Sequence, residues 1–112
     1  LMQALLTRGG HQAEAVDGGE PALRRFLERG IDVVVTDLQM PDVHGFELIT
    51  ILREFDLCPP IVAVSGTGPF QLHMAETLGA TITLAKPLDP ALLLDAVERA
   101  TQSVQAREFR IG

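Results

Sequence analysis

Three polar residues occupy equivalent positions, each directly after a short apolar run and before a turn or helix. They are Asp37 after VVVT, Ser65 after IVAV and Lys86 after ITLA. Runs of this kind predict buried strands of a parallel sheet. Because parallel strands bring their carboxyl ends to one edge, the three side chains are expected to converge there. Such a set could carry out phosphoryl transfer, in which the carboxylate attacks phosphorus while the hydroxyl and the ammonium bind phosphoryl oxygens.

Apolar periodicity places these three residues in an alternating series of helices and strands. The predicted strands cover 12–16, 33–36, 61–64 and 82–85, and the predicted helices cover 1–8, 21–29, 45–55, 70–78 and 90–101. Each stretch between successive strands holds about a dozen or more residues and one helix, which suffices for a right-handed crossover between parallel strands. The sequence therefore predicts the α/β fold class, with a doubly wound parallel sheet covered by helices on both faces.

Length and charge narrow the functional classes. The chain has 112 residues, enough for one domain with a single core, and its formal net charge is −6. That charge argues against nucleic acid or an anionic membrane as a direct partner, and no apolar run approaches the roughly 18 residues that cross a bilayer. Cys58 is the only cysteine, so an internal disulfide is excluded and a reducing, cytoplasmic location is predicted.

The segment TDLQMPDVHG at 36–45, the pair Ser65-Gly66 and the pair Lys86-Pro87 carry a family resemblance. With them, the chain resembles the receiver domain of bacterial two-component response regulators, over nearly all of residues 1–101. The resemblance implies a flavodoxin-like fold and a signalling switch that is not an enzyme. Residues 102–112 lose the clean apolar stripe and are predicted to be a helix extension or a linker.

The same resemblance assigns roles to individual residues. Asp37 would accept a phosphoryl group from a sensor histidine kinase or a phosphotransfer protein, and Ser65 and Lys86 would sense it. The peptide bond between Lys86 and Pro87 would be cis. Mg²⁺ would be held by the Asp37 carboxylate and the backbone carbonyl of Gln39, together with further acidic ligands.

This sequence departs from the family pattern at the place where those further acidic ligands are expected. In the family, the first strand is central in the sheet and ends in an acidic pair, whereas this sequence begins at Leu1 in a helix-like pattern, after the place of that strand. Asp37 alone supplies one carboxylate, and Mg²⁺ sites commonly use one or two carboxylates together with phosphate oxygens and water. We therefore expect either a longer native protein or an exchange of strands between chains.

A second departure concerns how a signal would leave the site. Thr83, three residues before Lys86, stands at the switch position, where the family usually has an aromatic residue that turns inward on activation. Thr83 is too small for that movement. The resemblance nevertheless implies that the face formed by residues 70–101 changes its affinity for a partner or for a second copy, which would give a homodimer.

Two other functions stay open at the level of sequence. A pseudo-receiver would keep the fold as a binding module without phosphorylation, and the missing acidic pair and Thr83 keep this alternative open. An aspartyl-phosphate hydrolase similar to the haloacid dehalogenases would also combine Asp, Ser and Lys at strand ends. That family has an acid–base aspartate two residues after its nucleophile, where this chain has Gln39.

Several other residues are interpreted as structural. The histidines show no ligand spacing, so no zinc site is predicted at His11, His44 or His73. Cys58, before two prolines, is interpreted as a small buried filler, and Asp42 as a loop or helix-end charge. The glycines of 66–68 lack the Gly-Lys-Ser/Thr ending of a phosphate-binding loop and are predicted to let that loop move.

Overall fold

The computed structural model describes residues 2–16, 19–28, 30–38, 45–54, 59–66 and 68–111, without the side chains of residues 19 and 103–111. Its elements are α1 (Met2–Arg8), α2 (Gly19–Leu27), β1 (Val34–Asp37), α3 (Gly45–Arg53), β2 (Ile61–Ser65), α4 (Pro69–Leu78), β3 (Ile82–Ala85) and α5 (Pro90–Ile111). The described strands form one parallel sheet in the order β1-β2-β3. This parallel sheet with intervening helices confirms the predicted α/β fold class.

Strand β2 forms the centre of this sheet, and its five residues are all buried. Successive side chains of a strand point to opposite faces, and the core is divided accordingly. Ile61 and Ala63 pack in one cluster with residues of α3 and α4, whereas Val62 packs in another with Ala96 and Ala100 of α5. Helices therefore cover both faces of β2, as predicted.

The strand register brings the strand ends together. Asp37 at the end of β1 is level with Val64, and Ser65 at the end of β2 is level with Ala85, the residue before Lys86. The three polar positions thus lie at the same edge of the sheet, because each strand runs in the same direction and ends at nearly the same level.

The strand predicted at 12–16 is wrong. In the described part of the chain, residues 11–16 have no regular secondary structure, and β1 is paired with β2 alone. The alternation of apolar and polar residues indicates which side chains could face a core, but a strand also needs a neighbouring backbone with which to form hydrogen bonds. Residues 11–16 and strand β1 instead line the same groove.

This groove, which we call the β1 groove, has a volume of about 1060 Å³. Its lining includes residues 10–16 and residues 30–37, with apolar side chains that include Leu6, Phe26, Leu48, Leu52 and Val97. Residues 13 and 14 of this lining are held by polar contacts, since Arg25 Nε donates to Glu14 Oε2 at 2.6 Å and Gln3 Nε2 donates to the carbonyl of Ala13 at 3.1 Å. The hydrogen bond and charge of Arg25 hold the pKa of the Glu14 carboxyl below its usual value.

The last helix is longer than the apolar stripe that predicted it. Its stripe is buried at Leu93, Ala96, Val97 and Ala100, and the helix continues to Ile111. The assignment of residues 1–101 to the domain and of 102–112 to an extension or linker stays a prediction.

Candidate functional site

Asp37 is positioned by the end of β1 and the start of α3. The next residue, Leu38, is buried, and its N–H donates to the carbonyl of Val64 at 2.9 Å, which extends the pairing with β2 past the strand end. Gly45 begins α3 against this turn. A Cβ atom at Gly45 would lie 2.6 Å from Leu38 Cα and 3.0 Å from the carbonyl oxygen of Asp37. Only glycine therefore allows α3 to approach the backbone that carries Asp37.

Lys86 reaches Asp37 from the end of β3. Its backbone N–H donates to the carbonyl of Ser65 at 2.9 Å, and its Nζ donates to Asp37 Oδ2. The side chains of Lys86 and Asp37 are 38% and 24% exposed, so this ion pair borders on solvent. The peptide bond between Lys86 and Pro87 is cis, as the family resemblance implies.

Ser65 lies between these two residues in the sheet but contacts a third element. Its side chain is buried, with the residue 1% exposed, and its Oγ donates a hydrogen bond to Gln71 Oε1 at 2.8 Å. Gln71 lies near the start of α4. The structure therefore places Asp37 and Lys86 in direct contact and connects Ser65 to α4.

Thr83, at the switch position, also contacts α4. Its hydroxyl donates to Glu76 Oε1 at 3.2 Å. The sequence did not predict that Gln71 and Glu76 would accept these hydrogen bonds from Ser65 and Thr83. Their only signal is that both are polar residues on a helix predicted next to Ser65, and such a signal is too common to select them.

The donors for a metal ion are incomplete in the described residues. Receiver domains of the family typically bind Mg²⁺ at an acidic pocket, but the described part of this chain contains no group of three or more His, Cys, Asp or Glu residues that could hold a metal ion. Gln39, Asp42, His44, Cys58 and Thr67 lie outside the described residues. Asp37 is thus the one predicted magnesium ligand among the described residues, and by itself it does not make a magnesium site.

Taken together, the described groups favour chemistry on a dianionic phosphoryl group. A carboxylate at an open edge of the sheet can act as a nucleophile, and the neighbouring ammonium can pair with phosphoryl oxygens. The stem of Lys86 packs beside Gly66, where a Cβ atom would lie 3.4 Å from Lys86 Cδ.

Among the described residues, no helix is long and apolar enough to cross a membrane.

Sequence comparison agrees with this geometry. The sequence profile of the response regulator receiver domain family matches residues 1–98. The chain is 32% identical over 114 residues to the sensory/regulatory protein RpfC of Xanthomonas campestris pv. campestris, covering 97% of this chain and 15% of that protein. It is 30% identical over 105 residues to the transcriptional regulatory protein FixJ of Rhizobium meliloti, covering 93% of this chain and 52% of that protein.

Solved structures show the same fold. A response regulator receiver domain protein from Clostridium thermocellum superposes with a TM-score of 0.87 at 25% identity, covering 94% of this chain and 86% of that one. The receiver domain of NtrX from Brucella abortus superposes with a TM-score of 0.82 at 24% identity, covering 90% and 87%. The chain spans only part of the two curated relatives, 15% and 52% of their lengths. The match to the family profile over 98 residues shows that the chain belongs to the response regulator receiver domain family.

Proposed function

We propose that this chain is a phosphorylation-dependent signalling switch in which Asp37 accepts a phosphoryl group. The observation that carries the proposal is the ion pair between Asp37 and Lys86 at the edge of the sheet, beside Ser65, in a member of the receiver family. The donor is a phosphohistidine on a sensor histidine kinase or on a phosphotransfer protein. Relatives of the chain include both a transcriptional regulator and a sensory protein, so the output is not assigned.

The transfer itself needs few protein groups. A carboxylate oxygen of Asp37 attacks phosphorus, the phosphorus–nitrogen bond breaks, and its electron pair returns to the imidazole, which keeps or gains a proton. Lys86 moves from the carboxylate to a phosphoryl oxygen and neutralises part of its charge. The hydroxyl of Ser65 donates to another phosphoryl oxygen. The product is an acyl phosphate with more negative charge and more acceptor oxygens than the aspartate it replaces.

The output surface is proposed to be the face formed by residues 70–101. On α4, the apolar side chains of Phe70, Met74 and Leu78 are spaced four residues apart and all three are exposed, Phe70 by 72%. Side chains at this spacing lie on one side of a helix. Such an exposed stripe suits a partner protein or a second copy of the chain.

The proposed magnesium site depends on a strand that would occupy the β1 groove. We infer that a further parallel strand fills the groove, and that its carboxyl end places acidic side chains beside Asp37. Strand β1 lines the groove and, among the described strands, pairs only with β2, and the lining includes apolar side chains. A strand in the groove would pair with β1, and the first strand of the family carries an acidic pair at the required end. Bound there, Mg²⁺ would offset the negative charge of the carboxylates and the phosphoryl group.

The pseudo-receiver remains the second candidate, because the described residues offer Asp37 alone as a metal ligand. Membership of the receiver family favours neither the hydrolase alternative nor any other enzyme. The two remaining candidates differ in one observable, the covalent phosphorylation of Asp37.

The test is to incubate the native protein with acetyl phosphate, with and without Mg²⁺, and to measure its intact mass. We expect a Mg²⁺-dependent gain of one phosphoryl group that is lost in Asp37→Asn. The matched control is Asp95→Asn, which removes the same charge from an exposed position on α5 and should leave the gain unchanged. An absence of any gain, or an equal gain in Asp37→Asn, would establish the pseudo-receiver instead.

The β1 groove can be tested with a synthetic peptide, Val-Leu-Val-Val-Asp-Asp, added to the 112-residue chain. We expect a rise in Tm with peptide concentration, because a ligand at about 100 times its Kd stabilises the folded state by roughly 2.7 kcal/mol. A peptide with proline at its third position lacks a backbone donor and should produce a smaller rise. Equal shifts for both peptides, or none for either, would contradict strand addition in the groove.

A further inference from the structure

Two side-chain hydrogen bonds connect α4 to neighbouring strands. The Ser65 hydroxyl, at the end of β2, donates to Gln71 Oε1 at 2.8 Å, and the Thr83 hydroxyl, in β3, donates to Glu76 Oε1 at 3.2 Å. The first of these bonds engages the Ser65 hydroxyl, which in the proposed function donates to a phosphoryl oxygen. It therefore connects the chemistry at Asp37 to the position of α4.

Apolar packing holds α4 only weakly, so these polar contacts matter. Every residue of α4 lies in the described part of the chain, and Ala75 is the only one that is buried. Leu72 is partly buried against the core, whereas Phe70, Met74 and Leu78 are exposed. A helix that buries so little apolar surface gains a correspondingly small hydrophobic stabilisation.

The two ends of α4 are held differently. At its carboxyl end, the N–H of Gly79 donates to the carbonyls of Ala75 and Glu76, and the N–H of Ala80 donates to that of Ala75. Ala75 and the bond between Thr83 and Glu76 lie in the same half. The amino-terminal half follows Gly68, whose φ of 106° is a conformation suited to glycine. In this half, the side-chain hydrogen bond from Ser65 to Gln71 connects the helix to the sheet.

A hydroxyl group has one proton to donate. While the Ser65 hydroxyl donates to Gln71, it does not donate to a phosphoryl oxygen, and its burial leaves little access to water as a substitute. A phosphoryl oxygen is charged and is the stronger acceptor, since charge-assisted hydrogen bonds are roughly twice as strong as neutral ones. Phosphorylation of Asp37 would therefore draw the hydroxyl away from Gln71.

We propose that Gln71 is an inhibitory latch, whose side-chain carbonyl competes with the phosphoryl group for the Ser65 hydroxyl and holds the amino-terminal half of α4 in its unphosphorylated position. This inference rests on the proposed function and deepens it. Transfer of the hydroxyl to the phosphoryl group releases residues 69–73, including Phe70, while Glu76 and Ala75 keep the other half in place. Gln71 is a positioning residue, because it acts through Ser65 and does not contact the reacting atoms.

The latch predicts opposite effects for two substitutions of Gln71. Gln71→Ala removes the competing acceptor. At limiting acetyl phosphate it should raise the ratio of phosphorylated to unphosphorylated protein by roughly 2- to 12-fold, which is the factor that one neutral hydrogen bond contributes to an equilibrium. Gln71→Glu keeps an acceptor in place, adds a charge that strengthens it, and repels the phosphoryl group. It should lower the same ratio. Loss of folding in one variant would not produce two effects of opposite sign.

Two controls complete the experiment. His73→Ala changes an exposed side chain of the same helix and should leave the ratio unchanged. In a Ser65→Ala background, Gln71→Ala should have no effect, because the hydroxyl for which the two acceptors compete is gone. Shifts in the same direction for Gln71→Ala and Gln71→Glu, or an undiminished effect of Gln71→Ala without Ser65, would overturn the latch.

A second measurement separates this inference from the proposed function. Hydrogen exchange of the unphosphorylated protein should be faster over residues 69–74 in Gln71→Ala than in the unchanged chain, with residues 75–80 unaffected. This result does not depend on phosphorylation. Failure of Asp37 to accept phosphate would therefore overturn the proposed function and, with it, the competition, and faster exchange in Gln71→Ala would then still show that Gln71 holds α4. Normal phosphorylation with equal exchange in both proteins would overturn the latch alone.

Discussion

Gly45→Ala is expected to destabilise the chain by about 1–3 kcal/mol, the usual range for forcing extra atoms into a packed site. The added Cβ atom would lie 2.6 Å from Leu38 Cα, and a backbone atom cannot move aside as the end of a flexible side chain can. Alanine gains up to about 1 kcal/mol over glycine in the interior of a helix, but Gly45 is the first residue of α3. The steric effect should therefore dominate.

Urea denaturation of Gly45→Ala and of the unchanged chain measures this difference. The matched control is Gly66→Ala, where the new Cβ atom would meet Lys86 Cδ at 3.4 Å, an ordinary contact with a flexible stem. Its stability should change by about 0.5 kcal/mol or less, the range of substitutions that disturb no packing. Equal losses in the two variants would show that the close approach of α3 to Leu38 is not what requires glycine.

Lys86→Met is expected to lower the rate of phosphoryl uptake from acetyl phosphate by roughly 10²- to 10³-fold, the usual effect of removing one group that stabilises charge in a transition state. Methionine keeps the length of the stem beside Gly66 but removes the ammonium that pairs with Asp37. The fold should change little, since an ion pair that is partly exposed to solvent contributes about 0–1 kcal/mol to stability. Function and stability should therefore separate in this variant.

The initial rate of phosphorylation, followed by intact mass, measures this effect. Arg99→Met provides the control, because it also removes one cation, from an exposed pair with Asp95 on α5 at 2.9 Å. Its rate should match that of the unchanged protein. If Arg99→Met slowed uptake as much as Lys86→Met, the cause would be the net charge of the protein, and Lys86 would have no local role.

The meeting of Asp37 and Lys86 could be predicted from sequence because it follows from the sheet alone. Buried apolar runs mark the strands, parallel strands end at one edge, and each polar residue directly follows its strand. The register then brings Asp37, Ser65 and Lys86 to that edge. The contact between Asp37 and Lys86 therefore depends on little beyond the positions of the strands.

Residues 12–16 and the contacts of α4 differ from what the sequence predicts, for equally specific physical reasons. Residues 12–16 alternate as a strand does, but alternation does not supply the neighbouring backbone that a strand requires. Gln71 and Glu76 were overlooked because their contacts depend on how α4 is rotated about its axis and on where the chain after Ser65 enters it. The rotation of α4 and its starting point cannot be predicted from an apolar pattern when the helix buries a single residue.

Strand β1 has two roles in this molecule, since it borders the β1 groove and also ends in Asp37. Thermodynamic linkage then connects the two ends of the same element. Suppose that a strand in the groove strengthens, through its last side chains, the binding of a cation beside Asp37. The cation must then strengthen the binding of that strand by the same factor. Strand binding in the groove and cation binding beside Asp37 are in that case two coupled equilibria, and a change in either one shifts the other.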